Sequence, residues 1–412
     1  MPDPVPTVSL EDVLAARDGL DAVMRPTPLK FSRGLSDRVG TDVFLKCENL
    51  QRAGSFKFRG AYTRLSRLSP QEKAAGVVAA SAGNHAQGVA LAAQMLGIRA
   101  KVYMPVGAAM PKVNATRGYG AEVEQVGLTL DEAMPHAQEY ARRTGAVYVH
   151  PFDHEDIVAG QGSCGLEILE QCPEVRTVVV GVGGGGLIAG IAVVLKALKP
   201  DVRIVGVQAE GAAAYPTSLR AGHPVACTSM HTMADGIAVG LPGDVPFEIV
   251  RRHVDTVETV TEESISRSLL FLLERSKLVV EPAGGAAVAR LLEAPGAGWE
   301  GPVVAVLSGG NIDPLLMLRI IRHGMAAAGR YLQLRARVPD KPGNLAQLLM
   351  DCAEADANVL EVEHVRTNAS LSVDEVEIAL ELETKSAEHC GQVVEALRGR
   401  GYRLVVGDAW PE

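Results

Sequence analysis

The residues able to do chemistry gather in four short segments. The first, Gly54-Ser55-Phe56-Lys57-Phe58-Arg59-Gly60-Ala61, sets a lysine between two phenylalanines at the entry to a helix. An ammonium partly stripped of water has a lowered pKa, and the neutral amine can attack a carbonyl to form an imine. The plain alternative is a surface lysine whose stem lies over apolar neighbours. The second segment, Ser81-Ala82-Gly83-Asn84-His85-Ala86-Gln87-Gly88, falls between a strand-like and a helix-like run. Small residues at a helix start leave amides free for a carboxylate. Asn84 offers an amide to a phenolic or carbonyl oxygen, although Ser81 and Asn84 could equally be helix caps. His85 reads as a supporting residue rather than a proton carrier.

The third segment, Gly181-Val182-Gly183-Gly184-Gly185-Gly186-Leu187, again joins a strand to a helix. Successive glycines let the backbone wrap an anion, with N–H groups and the helix dipole pointing inward. Gly181, Gly183 and Gly186 also fit GxGxxG, and Glu210 stands about where a ribose-binding acid would follow, so a dinucleotide reading stays open here. The fourth, Leu307-Ser308-Gly309-Gly310-Asn311, follows a strand-like run. A serine at the C-terminal end of a parallel strand faces the ligand crevice, where its hydroxyl could meet a ring nitrogen; a simple turn is the alternative. Taken together, an imine-forming lysine, an anion cup, an asparagine and a serine answer the aldehyde, phosphate, phenolate and pyridine nitrogen of pyridoxal 5'-phosphate. A nicotinamide enzyme accounts only for the glycine loop.

Positioning these segments requires alternating elements, and the chain alternates from near residue 40 to about 320. Strands are expected at Val43–Lys46, Gly76–Ala80, Lys101–Met104, Thr177–Val182, Val202–Val207 and Pro302–Leu307. Helices are expected at Gly60–Leu68, His85–Leu96, Pro111–Tyr119 and Leu187–Leu198. Such alternation is the pattern of an α/β fold with parallel sheets and helical crossovers. From Tyr331 the texture becomes β-α-β-β-α-β: strands Tyr331–Val338, Asn358–Arg366, Val373–Glu383 and Tyr402–Val406, with helices Asn344–Ala355 and Ala387–Arg398. That order is ferredoxin-like. His323–Gly329 reads as the linker.

Bulk properties narrow the function. A chain of 412 residues predicts two or three domains. Its net charge of −9 and 4% aromatic content argue against a nucleic-acid or anionic-membrane partner, so any anion site must be local. The six cysteines are scattered with no CxxC pair, which suggests reduced thiols rather than a metal centre. No signal peptide and no bilayer-length apolar run is read, so the expected location is cytoplasmic.

In this order, the four segments closely resemble the threonine ammonia-lyases (threonine dehydratases), pyridoxal-phosphate enzymes of the tryptophan-synthase-like fold (fold type II). Further matches are Thr27-Pro28-Leu29, Glu48-Asn49-Leu50-Gln51, Gly160-Gln161-Gly162, Met233-Ala234-Asp235-Gly236 and Val280-Glu281-Pro282-Ala283-Gly284. Val338-Pro339-Asp340-Lys341-Pro342-Gly343-Asn344-Leu345 looks like an ACT-type regulatory domain. The resemblance implies two open parallel-sheet domains over residues 1–322, with a small subdomain of about 51–150 inserted in the larger one. A linker at 323–329 and an ACT-like domain at 330–412 would follow.

For the site, the resemblance implies that Lys57 carries the cofactor as a Schiff base, with Ser81 as its catalytic companion. Phe56 would pack beside the ring and Asn84 would bond the phenolate. Gly183, Gly184, Gly185, Gly186 and Leu187 would hold the phosphate, Ser308 would bond the pyridine nitrogen, and Glu281 would lie close by. The substrate carboxylate would meet Ser81, Ala82, Gly83, Asn84 and His85, with Gly236 near. L-threonine would give 2-oxobutyrate and ammonia, as in isoleucine biosynthesis, and L-serine pyruvate. An allosteric amino-acid effector would bind near Asp340, Gly343, Asn344 and Leu345 of a homodimer or homotetramer, and no metal is expected. Three departures stand out. Ala53 replaces the usual threonine or serine, Ala133 falls where serine racemases use an arginine, and Gln208 falls where they use a metal-binding glutamate. Serine racemase on the same scaffold and a non-catalytic amino-acid sensor remain the rival readings.

Overall fold

A computed structural model describes residues 7–327, 329–366 and 371–407, and the chain divides into two compact units, Met1–Pro314 and Leu315–Glu412. Among the described residues of the first unit, the strands in chain order are β1 (Leu29–Phe31), β2 (Val43–Lys46), β3 (Val77–Ala80), β4 (Ala100–Met104), β5 (Glu122–Gln125), β6 (Val147–Tyr148), β7 (Thr177–Gly181), β8 (Arg203–Ala209), β9 (Thr256–Val260) and β10 (Val303–Val306). They form two sheets, ordered β1-β2-β10-β7-β8-β9 and β5-β4-β3-β6. All neighbouring pairs are parallel except β1 with β2. The central strands VVAA, TVVVG and VVAV are buried along their whole length. Strands covered by helices on both faces have no polar side to present, so they read as unbroken apolar runs.

Two helices pack closely beside the larger sheet. A Cβ on Gly190, in the helix Gly186–Leu198, would stand 2.4 Å from the Val158 carbonyl of the helix Glu155–Gln171. Only glycine permits that approach. Nearby lies a buried ionic cluster. The Arg59 guanidinium meets Glu48 at 2.7 Å and Glu167 at 2.7 Å, and Lys46 meets Glu167 at 2.5 Å.

The second unit, taken by itself, runs β11 (Tyr331–Pro339), helix Asn344–Glu354, β12 (Asn358–Val365), β13 (Glu375–Glu383), helix Ala387–Gly399 and β14 (Arg403–Val406). Its sheet is antiparallel with the order β12-β13-β11-β14, the ferredoxin-like arrangement. Leu332, Leu334, Ala336 and Val338 alternate inward and face Leu382, Leu380, Ile378 and Val376 across the β11–β13 ladder, which fixes the register.

Two expectations are corrected. Residues 323–327, read as linker, are the last part of the helix Pro314–Ala327, and the boundary between the units falls at 314/315. Ala326 and Ala327 are strong helix formers, which favours that extension. The helix after the reactive lysine begins at Lys57 and ends at Ser66, three residues before its expected start and two before its expected end. No helix among the described residues is long and apolar enough to cross a membrane.

Candidate active site

Three strands deliver the chemistry-bearing turns from their C-terminal ends: β3 leads into Ser81, β7 into the glycine loop and β10 into Ser308. The three turns line one cavity of about 340 Å³ together with Phe56, Lys57, Asn84, His85, Gly236 and Glu281. The crevice at strand C-termini is where parallel sheets bind ligands. Glu210, the acid required by a dinucleotide reading, is not among the residues lining it.

Lys57 opens its helix with its ammonium 2.8 Å from the Pro151 carbonyl and 5.2 Å from the centre of the Phe56 ring. Burial lowers its pKa to about 8 against an opposing pull from Glu281. The segment is pinned to β10 because the Phe56 amide donates to the Ser308 carbonyl at 3.1 Å. The Ser308 hydroxyl is itself buried and lies 3.5 Å from the Ala283 carbonyl, a distance that leaves it available to a ligand.

Asn84 is oriented from both ends. Its Oδ1 accepts from Asn311 Nδ2 at 2.8 Å and its Nδ2 donates to Glu281 Oε1 at 2.5 Å. Asn311 also donates to the Ala53 carbonyl at 2.7 Å. Ala53 occupies the left-handed region at φ 61°. Burial, then the Asp235 carboxylate, pushes the Glu281 carboxyl up to about 7, against the pull of Lys112, Asn84 and Lys57. The His85 ring is buried and its Nε2 lies 2.8 Å from the Val149 carbonyl. Burial and nearby Lys57 push its pKa down to about 3, so the ring is neutral and its Nε2–H donates to that carbonyl. The ring is thus engaged by the Val149 carbonyl, while the His85 amide belongs to the helix start.

The glycine loop has the shape an anion requires. The helix Gly186–Leu198 makes its first backbone bond from Ala189 to Gly185 at 2.9 Å. The amides before it therefore have no helical acceptor. Gly185 stands at φ 98°, where a Cβ would come 1.9 Å from the Tyr215 hydroxyl, and a Cβ on Gly184 would enter the Phe152 ring at 2.3 Å. Tyr215 donates to the Gly184 carbonyl at 3.2 Å, and its own amide is held by Gln208 Oε1 at 2.8 Å. With the lysine amine and the Ser308 hydroxyl in the same cavity, these residues fit a phosphate-bearing aldehyde cofactor.

The Gly185→Ala variant is expected to retain cofactor at least about 100-fold less tightly, because both the backbone angle and the tyrosine contact must give way. Dialysis followed by titration of the visible band measures this. Unchanged affinity would show that the loop is not the phosphate seat.

Every predicted residue of the catalytic region thus borders one cavity. Asp340, Gly343, Asn344 and Leu345 lie in the second unit and contribute nothing to it. Sequence reading missed Asn311 as the residue that orients Asn84, and Phe152 and Tyr215 as the walls of the glycine loop. It also missed Lys112 as a lining residue. No motif flags the last three, although Asn311 stood inside a segment already singled out.

The comparisons agree with this geometry. The profile of the pyridoxal-phosphate dependent enzymes matches residues 20–309. The chain is 46% identical over 401 residues to an L-threonine ammonia-lyase of Thermotoga maritima, covering 97% of this chain and all of that one. Among solved structures, the processed threonine deaminase isoform 2 of Solanum lycopersicum superposes with a TM-score of 0.72 at 36% identity, covering 78% of this chain and 93% of that one. Maize serine racemase gives 0.73 at 32% identity, covering 78% and 99%. With the lysine, the glycine loop and Ser308 gathered in one crevice and the family profile matching most of its length, the chain belongs to the pyridoxal-phosphate dependent enzyme family.

Proposed function

We propose that this chain is an L-threonine ammonia-lyase, which eliminates water from L-threonine and releases 2-oxobutyrate and ammonia, with L-serine yielding pyruvate. The observation that carries the reading is the meeting of the Lys57 amine, the glycine loop and the Ser81–Asn84 turn in one cavity. Similarity along the whole length of an L-threonine ammonia-lyase selects threonine among the amino acids such a cavity could take.

When bound, the cofactor supplies an aldehyde that condenses with amines and a ring that stores the electron pair released at Cα. Lys57 would anchor it and, as a free amine, would serve as the general base for the Cα proton. The amides of Gly183, Gly184, Gly185, Gly186 and Leu187 hold the phosphate, and Phe56 flanks the ring. Asn84 would have its remaining Nδ2 hydrogen for the phenolic oxygen. Ser308 would offer the ring nitrogen a neutral hydroxyl, which, unlike a carboxylate, would not keep a proton there. The Ser81 hydroxyl and the amides of Ala82, Gly83, Asn84 and His85 seat the substrate carboxylate. A Cβ on Gly236 would stand 2.8 Å from the Ala283 Cβ, so glycine keeps that part of the cavity wall open.

Assay of 2-oxobutyrate after addition of L-threonine to the yellow holoenzyme tests the reading. Bound cofactor without keto acid would overturn it and bring racemisation of serine forward. The racemase alternative gains nothing from Ala133, which is buried, or from Gln208, whose amide is engaged by Val182 and Tyr215.

The low pKa of Lys57 has a separate consequence for loading. Only the neutral amine attacks an aldehyde, so the rate at which apo-protein develops the visible band is expected to rise about tenfold per pH unit and level off above about 8. An ordinary lysine would continue rising toward pH 10, and that outcome would refute the burial effect.

The second unit completes the proposal as an ACT-like regulatory domain, with a small amino acid bound near Asp340 and Gly343 to Leu345. Gly343, at φ 95°, opens the helix Asn344–Glu354, and Asp340 pairs with Arg366 at 3.3 Å. A homodimer or homotetramer in the cytoplasm belongs to the same reading.

A further inference from the structure

Lys112 and Asp235 take part in no step above, yet both line the cavity. Lys112 belongs to the helix Met110–Gly118, which packs on β5 at the edge of the small sheet. Asp235 opens the short turn Asp235–Ile237, which packs on the helix Pro282–Glu293 beside the large sheet. Their charged ends meet at 2.6 Å, so an ion pair links the two sheet systems at the cavity wall. The Asp235 side chain is 62% exposed and that of Lys112 only 16%. A pair so open on one side contributes little to stability, which leaves its position to be explained.

The ammonium lies beside the turn that seats the carboxylate. A Cβ on Gly83, the residue that precedes the helix Asn84–Leu96, would stand 4.0 Å from Lys112 Nζ. A helix N-terminus presents about half a positive charge. The seat shares its cavity with the Glu281 carboxyl and with the phosphate that the glycine loop would hold, and a negative charge on either opposes a second anion. A full cation at Gly83 offsets that opposition.

We propose that Lys112 is the cation that selects the substrate carboxylate, and that Asp235 holds it at the cavity wall until the carboxylate takes its place. One carboxylate exchanges for another, so the ammonium is paired throughout. The inference rests on the reading that the substrate is an amino acid.

The test compares L-threonine with L-threoninol, which carries the same amine and hydroxyl but no carboxylate, on the holoenzyme and its Lys112→Met, Lys112→Arg and Asp235→Asn variants. Binding is read from the absorption of the bound cofactor, and turnover from 2-oxobutyrate. Lys112→Met is expected to raise KM and the half-saturating concentration of L-threonine about tenfold, with kcat changed less than about twofold. L-threoninol should bind the variant as it binds the parent, Lys112→Arg should recover L-threonine binding to within about threefold, and Asp235→Asn should not raise KM. Equal weakening of both ligands, or a rise in KM for Asp235→Asn matching that for Lys112→Met, would make the pair structural and overturn the proposal. Should L-threonine perturb the cofactor spectrum without yielding keto acid, the lyase reading fails alone, because the comparison of the two ligands still decides the role of Lys112.

Discussion

Replacing Lys57 by alanine is expected to lower 2-oxobutyrate formation from L-threonine by at least about 10³-fold, the scale of losing a positioned general base together with the covalent anchor. The other bases described at the cavity wall are already engaged. His85 is neutral, with its Nε2 committed to the Val149 carbonyl. Glu281 is engaged by Asn84, and Lys112 is paired with Asp235. The glycine loop is untouched, so the variant should still take up cofactor through its phosphate, but with the absorption of a free aldehyde. A visible spectrum and a keto-acid assay on the same sample check both halves. Turnover within tenfold of the parent would remove Lys57 from the chemistry.

The second large effect falls on stability. Arg59 lies two residues beyond Lys57 on the same helix and is fully buried. Its Nε and Nη2 donate to the two Glu48 oxygens at 2.7 and 2.8 Å, and Nη1 and Nη2 donate to those of Glu167 at 2.7 and 2.9 Å. Burial opposes the charge on Glu167, but Arg59 and Lys46 together outweigh it and keep the carboxyl below its ordinary range. The four side chains sum to zero charge, so the cluster tolerates its burial only as a set. Arg59→Met leaves two buried carboxylates with Lys46 as their one cation within the cluster, and is expected to cost about 3–5 kcal/mol. Urea unfolding measures this, and the further change Glu48→Gln should return part of the loss. A cost below about 1 kcal/mol would mean that water reaches the cluster.

Several features of this molecule were readable from one sequence because their causes are local. Unbroken β-branched runs such as TVVVG belong only inside a parallel sheet, and alternation at 331–338 belongs to a sheet with one buried face. Consecutive glycines after a strand make an anion cup for backbone reasons alone. The ends of elements were less legible. The lysine segment turns helical at Lys57 itself, and residues 323–327 continue a helix, because capping and packing decide where a helix stops.

The sequence by itself determined the α/β class, the ferredoxin-like tail, and the lysine, glycine loop, asparagine and serine of the site. Each of these depends on residue type and short-range order. Only the tertiary structure decided what those residues face. Asn311, from the turn after β10, orients Asn84, while Gln208 and Tyr215 brace the glycine loop from the far side of β7. Lys112 and Asp235 meet although 123 residues separate them. Contacts of that kind depend on which strands become neighbours, and the order β2-β10-β7-β8 is set by the packing of the whole sheet. Charge follows the same rule. The flanking phenylalanines of Lys57 hint at a desolvated amine, but its pKa falls to about 8 only where folding removes the water around it.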